Sequence, residues 1–446
     1  MAIMELAYVR TVLGLMAVGV ATVSASSAQV TTVLVSKAMD GTPANSPSVA
    51  PRITPDGRYV AYSSPATNLV SGDVNNSTDA FVWDRQSNRL ELVSVTSTGM
   101  QATQGVGAAA ITADGRYVLL STSAKLSLED TNTRSDAYVR DRLLGTTTLA
   151  SKKPDGTVVK NSDCYPSALS DDGRFVVFMS TGSEFGGRDT QHDMDAYWRD
   201  TQTGLVKRVT VSSHGVQGND DSADAVLSGD GRFVTFTGTA TNLVRGDTNG
   251  VADIFGHDVL AGRTTRLSAL PGGGQANGPS VEVSMTPGGR YVAFTTKATS
   301  FDPVHDLNGA WDVYWRDNLT GQVMLCSRTP AGFAGSGGSF SGGASSTSSI
   351  SANGRYVAFE SYASDLIAVD ANGPFIPDIY RFDVITGQVV LVSQNSAGVQ
   401  ADDSSVDAVI SGDGRFIAYR SYATNLAPTN PAVSYNVFLT ELPIGP

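Results

Sequence analysis

The sequence predicts an all-β fold: a seven-bladed β-propeller of four-stranded antiparallel blades, its ring closed by an N-terminal strand that completes the last blade. Three observations carry this. A five-residue motif recurs seven times, each unit holds four strand signals, and the 446-residue chain has one strand spare at its start and one missing at its end.

The motif reads Asp56-Gly57-Arg58-Tyr59-Val60 and returns around Arg116, Arg174, Arg232, Arg290, Arg355 and Arg415, at spacings of 58, 58, 58, 58, 65 and 60 residues. Self-similarity at such a period marks a repeat architecture. In the fourth unit the strands are expected at 225–228, 232–237, 253–257 and 264–267. Asp-Gly between the first two is a hairpin signal, because Gly tolerates positive φ. Leu319-Thr320-Gly321 and Ile385-Thr386-Gly387 mark equally short turns between strands three and four. Four short strands per unit describe a propeller blade. Separate domains of about 58 residues without disulfides would have marginal cores. The seventh unit stops at Glu441, after its third strand, and Thr31 to Ser36 resembles a fourth strand such as Leu90 to Val95. Pairing them leaves no open edge between first and last blades.

Composition is that of a foldable chain, 41% hydrophobic and 17% charged with 46 Gly. A net charge of −12 repels phosphate backbones and anionic headgroups, which argues against nucleic acid as a partner. It suits divalent cations or basic protein surfaces. Arg10, the apolar run Thr11 to Val23 and the small residues Ser24 to Ala28 read as a secretory signal peptide at 1–28. Residues 29–446 are then one propeller domain, secreted or periplasmic, expected to be monomeric and without a transmembrane span. Cys164 and Cys326 fall about two blades apart, too far for a disulfide.

The constellation closest to chemistry precedes the third strand. Four units read Asp-x-Asn-x-x-x-Asp: Asp73, Asn75, Asp79; Asp130, Asn132, Asp136; Asp247, Asn249, Asp253; and Asp306, Asn308, Asp312. The third unit offers Asp189, Asp193 and Asp195, and the sixth stretches to Asp370, Asn372 and Asp378. Alternating carboxylate and amide oxygens suit Ca²⁺, and the same residues form Asx-turns by folding back onto the backbone. The spacing also faces each motif arginine with a carboxylate: Arg58 with Asp84, Arg116 with Asp141, through to Arg415 with Glu441. Such pairs read as structure.

Catalysis has little support. His192, His214, His257 and His305 are scattered, and neither a His-Glu-x-x-His nor a Gly-x-Ser-x-Gly pattern occurs. No catalytic or cofactor-binding residue is assigned. Trp83, Trp198, Trp311 and Trp315 sit in or beside third strands, where packing between blades accounts for them. Short turns gather on one face and long connections on the other, so a partner, protein or polysaccharide, is expected on the loop-rich face. The alternative is a carbohydrate-active enzyme, a lyase or hydrolase, with its site at the central channel.

The pattern Ser-x-Asp-Gly-Arg-[Tyr/Phe]-[Val/Ile]-x-[Phe/Tyr], as in Ser228 to Phe236, followed by Asp253 to Asp258, resembles the repeats of TolB-like β-propellers. The resemblance covers essentially the whole chain after the signal segment. It implies an extracytoplasmic propeller acting by protein–protein contact in the bacterial envelope.

Overall fold

Each unit folds as predicted into one four-stranded antiparallel sheet, and seven such sheets form the ring. The computed structural model describes residues 30–185, 193–338, 348–428 and 434–444. In the fourth blade the strands are Ser222–Leu227, Phe233–Gly238, Asp253–Asp258 and Arg263–Arg266, running from the channel outward. The seventh blade takes three strands from the end of the chain, and Thr31–Leu34 is its outer strand. Thr31 pairs with Glu441 and Leu34 with Phe438, which is the expected ring closure.

Second and third strands are buried along nearly their whole length because a neighbouring blade covers each sheet face. The core therefore lies between blades. One cluster joins Val177, Met179 and Trp198 of blade three to Val234 and Phe236 of blade four, and others repeat the arrangement around the ring.

The motif explains how the blades lock. Its glycine takes a left-handed φ, +66° at Gly57 and +73° at Gly173, as the hairpin turn requires. Its aromatic lies on the glycine of the next blade: Tyr59 on Gly115, Tyr117 on Gly173, Phe175 on Gly231, Phe233 on Gly289, Tyr291 on Gly354, Tyr356 on Gly414 and finally Phe416 on Gly57. A Cβ on Gly57 would stand 2.2 Å from the Phe416 ring. Glycine is thus required for both the turn and the contact.

The arginine pairs form in all seven blades, with one correction to their register. The ladder sets Tyr59, not Arg58, opposite Asp84, and the same offset recurs in blades two to seven. Arg58 lies one residue before the strand, and its long side chain reaches back to Asp84 at 2.9 Å. Arg116–Asp141, Arg174–Asp200, Arg232–Asp258, Arg290–Asp317 and Arg355–Asp383 lie at 2.7–2.9 Å, and Arg415 pairs with Glu441. Cys164 and Cys326 are buried and unpaired.

Candidate functional site

The long connections form one face. Strands four and one are joined through a small hairpin pinned by a single bridge, Val95 with Gln101 in blade one and Val211 with Gln217 in blade three. The loops between strands two and three carry apolar side chains into solvent: Val74 is 80% exposed, Leu307 71% and Phe375 89%, and Leu128 is fully exposed.

At the base of these loops the acidic trios come together. The last carboxylate of each is buried at the start of the third strand and accepts a hydroxyl from the end of the fourth: Ser94 to Asp79, Ser151 to Asp136, Thr210 to Asp195, Ser268 to Asp253, Ser327 to Asp312 and Ser393 to Asp378. Blade seven places Asn436 there, with Ser36 as its donor. The asparagines turn the loop, as when Asn75 Oδ1 accepts from Ser77 N at 2.8 Å and Asn308 Oδ1 from Ala310 N. Asp189 and His192 lie outside the described residues; Asp193 directly precedes the third strand of its blade.

How the trio is neutralised differs by blade. In blade one Gln101 Nε2 donates to Asp73 at 2.8 Å and Asp79 at 2.9 Å. Gln400 serves Asp370 and Asp378 likewise. In blades two and five the glutamine position holds Val158 and Ala334. There a tyrosine hydroxyl substitutes, Tyr138 to Asp130 at 2.6 Å and Tyr314 to Asp306 at 2.8 Å. Blades three and four add a cation of their own: Arg208 lies 3.2 Å from Asp195, and Arg266 lies 3.6 Å from Asp247 and 3.5 Å from Asp253. Asn249 completes that group at 3.5 Å from Asp253. Among the described residues no group of three or more His, Cys, Asp or Glu is placed to hold a metal ion.

These carboxylates give the fold an acid–base signature. Burial pushes Asp136 up to about 6, Asp312 to about 7 and Asp378 to about 6. A carboxylate that binds its proton more tightly in the folded state adds stability as pH falls from about 8 toward the unfolded value near 4. The arginine-paired Asp258 and Asp317 are held down to about 2 by hydrogen bonds from Arg232 and Arg290. Their contribution is complete above about pH 4 and is lost as pH falls through 2. Stability is therefore expected to peak between pH 4 and 5. Melts in chelator at pH 4.5, 6 and 8 check this; a midpoint highest at pH 8 would contradict it.

The central channel holds a second set of groups. It encloses about 400 Å³ between all seven inner strands. Asp224, Glu282 and Asp407 sit in their inner strands at left-handed φ of 52°, 57° and 60°. The bulge is costly for a residue with a side chain, and Asp224 and Glu282 line the channel. Asp407 pairs with Arg420 and its N–H donates to Glu360 Oε2 at 3.1 Å. Arg52 donates to the Ala109 carbonyl at 2.7 Å. Burial raises the Asp224 carboxyl above its ordinary range, against hydrogen bonds from Thr237 and the Glu282 backbone. Sequence reasoning missed this group. Its signal was the position eight residues before each motif arginine, which reads Ala50, Ala108, Pro166, Asp224, Glu282, Thr347, Asp407.

Histidine takes no part in the channel among the described residues. His257 is buried against Thr264 Oγ1 at 2.9 Å, and burial lowers it to about 4. His305 bonds Asp302 at 2.9 Å in its loop. Trp198 and Trp315 pack between blades as expected, and Trp311 lies under Lys297.

No protein-family model matches the chain, and no curated protein matches it in sequence. Solved structures do match. Oligogalacturonate lyase from Vibrio parahaemolyticus shares 11% identity over 92% of this chain and 93% of its own, with a TM-score of 0.55. The β-propeller domain of the Trilobed protease from Pyrococcus furiosus, described as having an open velcro topology, shares 11% over 88% and 95%, with a TM-score of 0.50. TolB from Acinetobacter baumannii shares 18% over 78% and 67%, with a TM-score of 0.42. At these identities the likeness is one of fold. The fold is a β-propeller.

Proposed function

We propose that this chain is a non-catalytic, extracytoplasmic binding protein whose loop-rich face engages a protein or polysaccharide. The exposure of Val74, Leu128, Leu307 and Phe375 in corresponding loops of blades one, two, five and six carries the reading. Single exposed apolar residues are ordinary, but repetition on one face marks a contact surface. Export rests on the signal reading of 1–28, which lies outside the described residues. No helix among the described residues is long and apolar enough to cross a membrane. Asp407 is engaged with Arg420, and Asp224 with Thr237 and the Glu282 backbone, which supports binding over acid–base chemistry.

The test is to screen immobilised protein against extracytoplasmic proteins and polysaccharides, beside a triple variant Leu128→Ser, Leu307→Ser, Phe375→Ser. One partner is expected to bind the parent at least about tenfold more tightly, a difference of about 1.4 kcal/mol, while the melts coincide. Cleavage of a polysaccharide that disappears in Asp224→Asn would instead establish the enzyme reading.

Ca²⁺ in the acidic loops belongs to the same proposal and is best supported in blade five. Asp306 Oδ1 and Asp312 Oδ2 are buried there without a hydrogen-bond partner. Unneutralised buried carboxylates are costly. At 5 mM Ca²⁺ a site with a dissociation constant of about 10⁻⁴ to 10⁻³ M adds about 1–2 kcal/mol, a rise of a few degrees. The rise is expected to vanish in Asp312→Asn. Equal melts with Ca²⁺ and chelator would make every trio a turn and nothing more.

A further inference from the structure

The motif aromatic of a blade receives a second planar group in at least five interfaces. Trp198 stacks on Phe175 with centroids 4.9 Å apart and planes at 20°, and Trp315 on Tyr291 at 5.3 Å and 24°. Arg381 lies over Tyr356 at 4.5 Å, Arg85 over Phe416 at 4.2 Å and Arg142 over Tyr59 at 4.8 Å. Each of these groups also caps a motif glycine carbonyl. Trp198 Nε1 donates to Gly231 O at 2.8 Å, Trp315 Nε1 to Gly354 O at 2.9 Å and Arg381 Nη1 to Gly414 O at 2.8 Å. Arg85 and Arg142 cap Gly57 and Gly115.

Two interfaces lack this group: between blades two and three the positions hold Val139 and Thr201, and the other lies between blades four and five. Gly256 stands at the strand position of Trp198 and Trp315, and Asn318 at the position of Arg85 and Arg142. Asn318 Nδ2 still caps the Gly289 carbonyl at 3.1 Å, but its side chain is too short to cover Phe233. A cavity of about 320 Å³ remains, lined by Phe233, Thr235, Gly256, Leu267, Met285 and Asn318. That is the lower end of the size range of ligand pockets, about 300–1,000 Å³. Asn318 Oδ1 and Thr235 Oγ1 are buried in its wall without a hydrogen-bond partner. Since Nδ2 must face the carbonyl, the free atom is an acceptor and calls for an N–H.

We infer that this cavity is a binding pocket for an indole ring, carried by a tryptophan side chain of a partner polypeptide. The neighbouring blades show the occupant's chemistry: an indole reaching the same place from a backbone, its ring on the motif aromatic and its N–H on an oxygen. Offset stacking on Phe233 and an N–H bond to Asn318 Oδ1 reproduce both contacts. The pocket opens on the short-turn face, so it stands independently of the loop-face reading.

The probe is N-acetyltryptophanamide, titrated into residues 29–446 by calorimetry and saturation-transfer NMR. Saturable binding with a dissociation constant of about 1 mM is expected for so small a ligand. Gly256→Trp, which copies blades three and five, and Gly256→Leu, which copies Leu439 of blade seven, are expected to abolish binding without lowering the melting midpoint. The nearest atoms to a Cβ at 256 belong to the mobile end of Leu267, 3.1 Å away, so either side chain has room to enter. Absence of binding by the parent protein, or binding unchanged in both variants, would overturn the assignment. Free indole bound without the amide would overturn the polypeptide source, and tighter binding of N-acetylargininamide would overturn the indole.

Discussion

A chain shortened to begin at Lys37 is expected to melt about 6 °C or more below the chain that begins at Val30. The cut removes the outer strand of blade seven, with Leu34 and Val35 fully packed in two different interblade clusters. Burying each stabilises by about 1.5–3 kcal/mol. Hydrogen bonds from Thr440 to Thr32 at 2.9 Å and from Ser36 to Asn436 at 2.9 Å go with it. Their loss costs about 1 kcal/mol each. The sum, about 5 kcal/mol or more, corresponds to roughly 6 °C in a domain of this size. Circular-dichroism melts of the two chains measure it. Coincident curves would mean that strand contributes nothing to the ring.

Gly173→Ala is expected to cost about 2–5 kcal/mol, and Gly156→Ala about 1–2. Both glycines have left-handed φ, +73° and +80°, so both substitutions bear the same backbone penalty of about 1–2 kcal/mol. They differ in what the new methyl meets. At Gly173 it would stand 2.4 Å from Tyr117 Cδ2, whereas at Gly156 nothing lies within 4 Å. Overpacking a closed contact adds about 1–3 kcal/mol. The difference between the two denaturation free energies isolates the interblade contact from the turn. Equal losses would show that the motif glycine serves the turn alone.

The fold was legible because its signals are local and repeated. A hairpin glycine, an alternating strand and a charge pair across two adjacent strands are visible within one unit, and seven copies remove accident. The off-by-one register between Arg58 and Asp84 escaped for a related reason: an ion pair tolerates a diagonal approach, so charge alone does not fix which backbone atoms face each other. The trio before each third strand was legible as a group but not in its partners. Gln101 lies 22 residues after Asp79, and whether it or a tyrosine completes the knot depends on the opposite side of the loop. The channel group was overlooked because its signal is a single position per repeat, acidic only at Asp224, Glu282 and Asp407, and nothing local marks that position as facing inward. Gly256 is legible only against its counterparts; alone it is one more glycine in a chain that has 46.

The aromatic-on-glycine contact runs in one sense around the ring, each blade giving a ring to its successor and accepting one from its predecessor. Plug and socket are thus the same pair of parts at every junction, and no junction is reserved for a particular neighbour. A blade duplicated in tandem would find a fitting socket before it and offer a fitting plug after it. The number of blades is then set by how far the sheets must turn to bring the last plug home, and the chain carries within each repeat the means to grow or shrink by whole units.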